Sequence, residues 1–533
     1  MSRKTIGIVN TTYGPVKGVE LQGDFDGITT FRSIPYAAAP TGDLRWKPPV
    51  DPERWTEVRV CETYGDICPQ PYNRELDQEP YSSDFYYMGN PKMSEDCLHL
   101  TITTGAASSD EKRPVYVWFH GGGSDHGYAY EVEFDPSVLA KKGIVVVSVN
   151  HRLGAFGYMA LPQILEEQGK CGNYILLDNE KALRWIVENI AAFGGDPDNI
   201  TLGGQSAGCG KSVSLAMTPF GREHVKRIIN ESWLIWLSKN NTMEQEIAIW
   251  QEYLRQIGID PDLPLSELRK IDALRFVPED PKIGIPGGLV CDGEMVPNIQ
   301  VADSMAEYGG RFDFLTGNNV GESHMKPDAV WGTFGFTKAE EFYQYYEETF
   351  PELAVKYPVR ETFQLKDEET DYVTRRLAGK GLAVRKWGGT MLNLHFGEYR
   401  KKKCPDKNTF VYLFRQVPPV LPEEKGTSRD DDLLLSWHSS ELFYAFDSMR
   451  PGIPPKRPWK EEDYHLADTM STYWANFIAS GDPNGEGLPE WPECDERKGY
   501  LELGTPITAH RDLDQTEDRL VYEYVMESTV FPE

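Results

Sequence analysis

The chain predicts a single α/β domain, a mostly parallel sheet buried between helices, and three observations carry that prediction. Ile144 to Val149 is an almost unbroken aliphatic run, the mark of a strand covered on both faces. Strand-like and helix-like stretches alternate along the chain, which argues for one layered unit. Finally, Gly204-Gln205-Ser206-Ala207-Gly208 stands where a short strand, Ile200-Thr201-Leu202, runs straight into a helix.

The elements follow in order. Residues 5–40 carry short apolar segments separated by Gly and Pro and read as an N-terminal antiparallel hairpin region. Glu95 to Ile102 and Pro114 to Phe119 supply strands, the second ending directly in His120-Gly121-Gly122-Gly123. The next helix has Leu183, Ile186, Val187 and Ile190 at helical spacing, Asp178 as its expected N-cap and Gly194-Gly195-Asp196-Pro197 as its stop. From Ala207 to Met217 the residues are small and helix-compatible until Pro219. Arg227–Asn230, Phe312–Thr316 and Thr409–Phe414 read as later strands of the same sheet. Residues 240–305 and 324–405 are too long for simple connections and are expected to be helical cap insertions walling the substrate site, all within one domain over 1–533. The run Asp430-Asp431-Asp432 reads as a solvated loop and not a metal site.

Acidic residues outnumber basic ones by 83 to 55, and the net charge of -28 repels phosphate backbones and anionic headgroups. Nucleic acid and membrane surfaces are therefore excluded as expected partners. The first residues hold two cations but no apolar run of signal-peptide length, so a cytoplasmic location is expected. The eight cysteines include no Cys-x-x-Cys pair and no His spacing suited to zinc, and most read as buried free thiols.

A Gly-x-Ser-x-Gly at a strand-to-helix junction is a nucleophile elbow, in which the serine hydroxyl projects above the sheet. Such a serine needs a histidine base, an acid to hold that histidine, and donors for the oxyanion. In the α/β-hydrolase fold part of the oxyanion hole comes from a glycine-rich turn after an earlier strand, and His120-Gly121-Gly122-Gly123 stands at that place. The fold also demands the order serine, acid, histidine.

Over nearly its whole length the chain resembles the type-B carboxylesterases, the family that includes the cholinesterases. The resemblance rests on Phe31-Arg32-Ser33-Ile34-Pro35-Tyr36-Ala37, Ser94-Glu95-Asp96-Cys97-Leu98, the Gly121-Gly122-Gly123 turn, Val149-Asn150-His151-Arg152-Leu153-Gly154, Gly172-Asn173-Tyr174, Phe193-Gly194-Gly195-Asp196-Pro197 and the elbow itself. It implies an α/β-hydrolase fold and a serine carboxylesterase acting on small ester substrates without metal or cofactor. It maps the oxyanion donors onto Gly122, Gly123 and Ala207, with Ser206 as nucleophile. Glu322, in the turn Gly317-Asn318-Asn319-Val320-Gly321-Glu322, matches the family's acid and lies 116 residues after the nucleophile. His438, in Ser436-Trp437-His438-Ser439-Ser440-Glu441-Leu442, matches its base; His324, His395, His465 and His510 sit in no such segment. Trp233 and Trp236 fall where the family builds its acyl pocket. In secreted relatives the cysteines matching Cys68 and Cys97 form a disulfide.

Departures are also legible. Cys209 follows the elbow where the family usually has glycine, and Ser124-Asp125-His126 after the oxyanion glycines is uncommon. Residues 84–89 lack the tryptophan with which cholinesterases bind a quaternary ammonium, so choline esters are not expected substrates. Three other readings accompany the carboxylesterase: an aryl or cinnamoyl (feruloyl-type) esterase, an amidase using the same triad, and a non-catalytic binding protein of the same fold. The last is disfavoured because Ser206, Glu322 and His438 are all present.

Overall fold

Strand Arg113–Phe119 shows how the layers arise. Its alternate residues Val115, Val117 and Phe119 join a core with Leu183 and Ile186 of helix Tyr174–Asn189. Tyr116 and Trp118 face the opposite way, into a core with Tyr473, Trp474 and Phe477 of helix Glu461–Ser480. A strand with two buried faces cannot alternate apolar with polar, and Val145–Val149 beside it is buried at every position. The structure is a computed structural model and describes residues 4–71, 84–86, 89, 91–232, 235–322, 336, 338–381, 389–427, 429–455, 457–529 and 531.

The main sheet has 11 strands. From one edge they run Val19–Glu20, Thr29–Pro35, His99–Thr104, Val145–Val149, Arg113–Phe119, Gly195–Gln205, Val225–Glu231, Asp313–Asn319, Thr409–Phe414, Tyr500–Leu503 and Thr508–His510. Pairing is parallel from Val145–Val149 through Tyr500–Leu503 and antiparallel toward both edges. A small separate sheet holds Ile8–Asn10, Pro15–Lys17 and Arg59–Val60. Arg113–Phe119 is flanked by Val145–Val149 on one side and Gly195–Gln205 on the other, so the chain reverses its direction of travel across the sheet there. In open α/β sheets such a switch point leaves a crevice at the carboxyl ends of the strands. The turns after Phe119 and Gln205 both open into it.

Two elements differ from expectation. The helix over 174–189 begins at Tyr174, so Asp178 is not its N-cap but an interior residue. Asp178 is fully buried and takes a two-pronged hydrogen bond from Arg152, 2.8 Å from Nε and 2.6 Å from Nη2, and also accepts from the Arg152 backbone N–H. The ion pair, which joins residues distant in sequence, overrode the local capping preference. The strand before Ser206 spans Gly195–Gln205, longer than its aliphatic centre, because Gly195 itself pairs with Arg113.

Within 240–305 the helix Met243–Gln256 opens on a capping box formed by Thr242 and Gln245. Within 324–405, helices Ala339–Thr349 and Asp367–Lys380 precede Thr390–Lys403, which packs directly on strands Asp313–Asn319 and Thr409–Phe414. That last helix belongs to the layer covering the sheet. Asp430 caps the short helix Asp431–Leu434, and Lys425 Nζ bridges Asp430 and Asp432 at 3.2 and 2.8 Å.

Candidate active site

Ser206 lies between the end of strand Gly195–Gln205 and the start of helix Ala207–Met217, with φ 52° and ψ −125°. A non-glycine residue there carries strain of roughly 1–3 kcal/mol, and the surroundings must hold it in place. Here the Ser206 N–H donates to the Glu231 carbonyl at 2.9 Å, and its own carbonyl accepts from the Cys209 N–H at 2.9 Å. The flanking glycines serve close packing: a Cβ on Gly208 would lie 2.1 Å from the Phe119 carbonyl oxygen, and one on Gly204 2.3 Å from Gly208. The helix can therefore approach the neighbouring strand closely enough to aim Ser206 into the crevice. Cys209 Sγ turns inward and donates to the Gly204 and Glu231 carbonyls at 3.1 and 3.2 Å, so this departure from the family pattern is a core residue.

The glycine turn leaves the adjacent strand. Gly122 and Gly123 have φ of +78° and +61°, in the left-handed region that glycine enters at little cost. Among the described residues the backbone N–H groups of Gly122, Gly123 and Ala207 find no acceptor. Three unengaged donors beside a strained serine form a ready anion site. A Cβ on Gly122 would fall 2.9 Å from the His126 ring, which Asp125 holds through a short hydrogen bond to Nδ1.

Glu322 and His438 come together although 116 residues separate them. Each loop leaves the carboxyl end of its own strand, and Gly321 and Trp437 pair as a one-residue parallel bridge. Gly321 N–H donates to the Ser436 carbonyl at 2.9 Å, and Asn319 Nδ2 to the Trp437 carbonyl at 2.8 Å. His438 Nδ1 then lies 2.6 Å from Glu322 Oε2, while Glu322 Oε1 accepts from the Asn319 backbone N–H at 2.7 Å. With Nδ1–H given to the carboxylate, Nε2 is left as the acceptor. Burial disfavours the imidazolium, but the charge and hydrogen bond of Glu322, with a smaller contribution from Glu441, outweigh it and hold His438 above the ordinary histidine value.

Nε2 does not yet meet the serine. Its neighbour is Gln205 Nε2 at 3.2 Å, and among the described residues Ser206 Oγ forms no hydrogen bond with His438. Beneath the pair lies a buried acidic layer. Glu441 accepts from Ser232 Oγ at 3.0 Å and from Asn319 Nδ2, and burial with the nearby Glu322 charge pushes it up to about 7. Glu231 accepts from Trp474 Nε1 at 3.0 Å, and burial raises its carboxyl well above the usual range.

The structure thus gathers Ser206, Glu322, His438, Gly122, Gly123 and Ala207 at one end of the sheet. Trp236 is 1% exposed, with its ring among His395, Phe396, Tyr399 and Phe531, and Trp233 lies outside the described residues. His395 and His510 bond elsewhere, to Tyr522 and Asp514, His465 is paired with Glu461 on the surface, and His324 is outside the described residues. Sequence reasoning passed over Gln205, Asn319 and Lys211. Gln205 was visible as the variable residue before the nucleophile, and Lys211 as a lone cation in a helix of small residues.

Fold and site together define a serine hydrolase of the α/β-hydrolase type. The chain belongs to the carboxylesterase family, whose profile matches residues 6–521, and it is a serine carboxylesterase. It is 31% identical to the liver carboxylesterase of Sus scrofa over 96% of this chain and 91% of that protein. It is 28% identical to carboxylesterase 1C of Mus musculus over 93% and 89%. Among solved structures it is similar to a pNB esterase, with a TM-score of 0.73 and 26% identity over 97% of this chain and 99% of the other. It also resembles the Geobacillus stearothermophilus carboxylesterase, with a TM-score of 0.69 and 26% identity over 97% and 99%.

Proposed function

We propose that this carboxylic ester hydrolase works through an acyl-enzyme on Ser206, with His438 as base and Glu322 as the acid that orients it. The observation that carries the reading is the 2.6 Å bond from His438 Nδ1 to Glu322, which leaves Nε2 as acceptor on the side of the elbow. Substrate entry exchanges Gln205 for the Ser206 hydroxyl at Nε2. Ser206 Oγ then attacks the ester carbonyl while its proton passes to Nε2, and the carbonyl electrons move onto an oxyanion held by the Gly122, Gly123 and Ala207 amides. Collapse of that intermediate breaks the acyl C–O bond, and the departing alkoxide takes the proton from His438. Water, deprotonated by the same nitrogen, attacks the acyl-enzyme, releasing the carboxylic acid and returning a proton to Ser206. Glu322 stays ionised throughout and stabilises each imidazolium.

The substrates are small uncharged esters, and Trp236 backs the acyl pocket through its packing. Free thiols throughout, Cys68 and Cys97 among them, favour a reducing compartment such as the cytoplasm. The test is hydrolysis of p-nitrophenyl esters from acetate to long chain, with methyl ferulate as an aryl ester, by wild type and Ser206→Ala. The variant is expected to lose at least about a thousandfold in kcat. A folded Ser206→Ala with undiminished turnover removes Ser206 from the mechanism.

A further inference from the structure

Helix Ala207–Met217 carries a lysine where its other inward residues are small or apolar. Lys211 is 4% exposed, and its ammonium donates to the His120 carbonyl at 2.8 Å. His120 is the last residue before the glycine turn, and its carbonyl shares a peptide plane with the N–H of Gly121. The bond therefore ties the nucleophile's helix to the root of the oxyanion turn from behind. Around the amine stand His120 and His151, stacked with ring centroids 4.7 Å apart. Asp125, His126 and Glu131 stand on the turn and the segment after it. Among the described residues no carboxylate forms an ion pair with Lys211, and Asp125 and Glu131 act on it only at a distance. Both imidazoles are held well below the usual histidine range, by burial first and the Lys211 charge second, so His120 and His151 are neutral neighbours of the amine.

We propose that Lys211 is a positioning residue of the oxyanion hole: its ammonium clamps the His120 peptide so that the Gly122 and Gly123 amides point at the developing oxyanion, and its charge adds to their field. The proposal rests on the Ser206 reading above. Burial lowers the Lys211 pKa to about 7, with Glu131 and Asp125 opposing the shift, so the charge is lost as pH rises through neutrality. The charge matters more in the transition state than in the ground state, so it belongs in kcat and not in KM. The same pH range carries the opposite titration of His438, which must lose its proton to act. The two together give a bell whose alkaline limb belongs to Lys211.

The experiment measures kcat and KM for p-nitrophenyl acetate from pH 5 to 10 with wild type, K211M, K211R and Ser206→Ala, alongside thermal melts. K211M is expected to lose about tenfold in kcat at neutral pH with KM little changed, and to lose the alkaline limb. K211R keeps its charge over the whole range, so it should recover much of kcat and hold its plateau to high pH. A folded K211M with wild-type kcat and an intact alkaline limb overturns the role. If K211M does not fold, K211R decides alone, and an unmoved alkaline limb there overturns it equally. Ser206→Ala separates the two failures: turnover retained in it overturns the triad and this role together, whereas an inactive Ser206→Ala beside an unaffected Lys211 pair overturns only the clamp.

Discussion

His438 shows how single residues divide the work. Its raised pKa means that the basic form appears only above the ordinary histidine range, so kcat/KM should rise with pH along an acid limb displaced upward. Glu322→Gln removes the charge that favours the imidazolium. That limb should then move to lower pH while kcat falls by roughly 10³–10⁴, because the ring also loses the partner that fixes its tautomer. A pH–rate profile of the variant checks both, and a limb that stays in place would detach Glu322 from His438. Gly122→Ala is a second residue-scale test. The added Cβ meets the His126 ring at 2.9 Å in a left-handed conformation, so the turn must shift. The protein should fold with about 1–2 kcal/mol less stability, and its loss of activity should lie in kcat.

Elements set the positions that those residues need. The Arg152–Asp178 pair is fully buried and ties the segment after strand Val145–Val149 to helix Tyr174–Asn189. Arg152→Met leaves an uncompensated buried carboxylate and should cost about 3–5 kcal/mol in denaturant unfolding, with kcat of the remaining folded enzyme nearly unchanged. Trp236→Ala empties the centre of an aromatic cluster over helix Thr390–Lys403 and should cost a similar 3–5 kcal/mol. Because the proposed function has this cluster back the acyl pocket, the chain-length optimum on p-nitrophenyl esters should lengthen. An unchanged optimum confines Trp236 to packing. At this scale the motif residues were the legible part. Glycines at 204 and 208 were readable as an elbow, yet their reason is that an added Cβ would lie 2.3 Å from Gly208 and 2.1 Å from the Phe119 carbonyl oxygen respectively, a closeness that belongs to tertiary packing. Asp178 misled because a carboxylate near a helix start resembles a cap until its distant arginine is placed.

The whole molecule carries a net charge of -28, a field that at long range attracts cations and repels anions. For matched esters differing only in charge, kcat/KM should favour the cation at low salt, and the difference should shrink as ionic strength passes about 0.15 M. An anionic ester that is insensitive to salt would show that the field does not reach the entrance. All eight cysteines are free in the structure. Alkylation of the denatured protein without reductant should therefore label eight thiols by mass; a loss of two would mean that Cys68 and Cys97 had been joined.

The sequence by itself determined the α/β alternation and the elbow pattern, and its likeness to the carboxylesterase motifs singled out Ser206, Glu322 and His438, because each rests on a local pattern: an aliphatic run, a glycine spacing, a short motif after a strand. Only the tertiary structure decided which groups meet. His438 faces Gln205, Glu441 lies beneath it in a buried acidic layer, and Lys211 reaches the back of the oxyanion turn. Those contacts join residues that are close only once parallel strands stand side by side, and the energy of a buried charge depends on its neighbours in space, not on its neighbours in the chain.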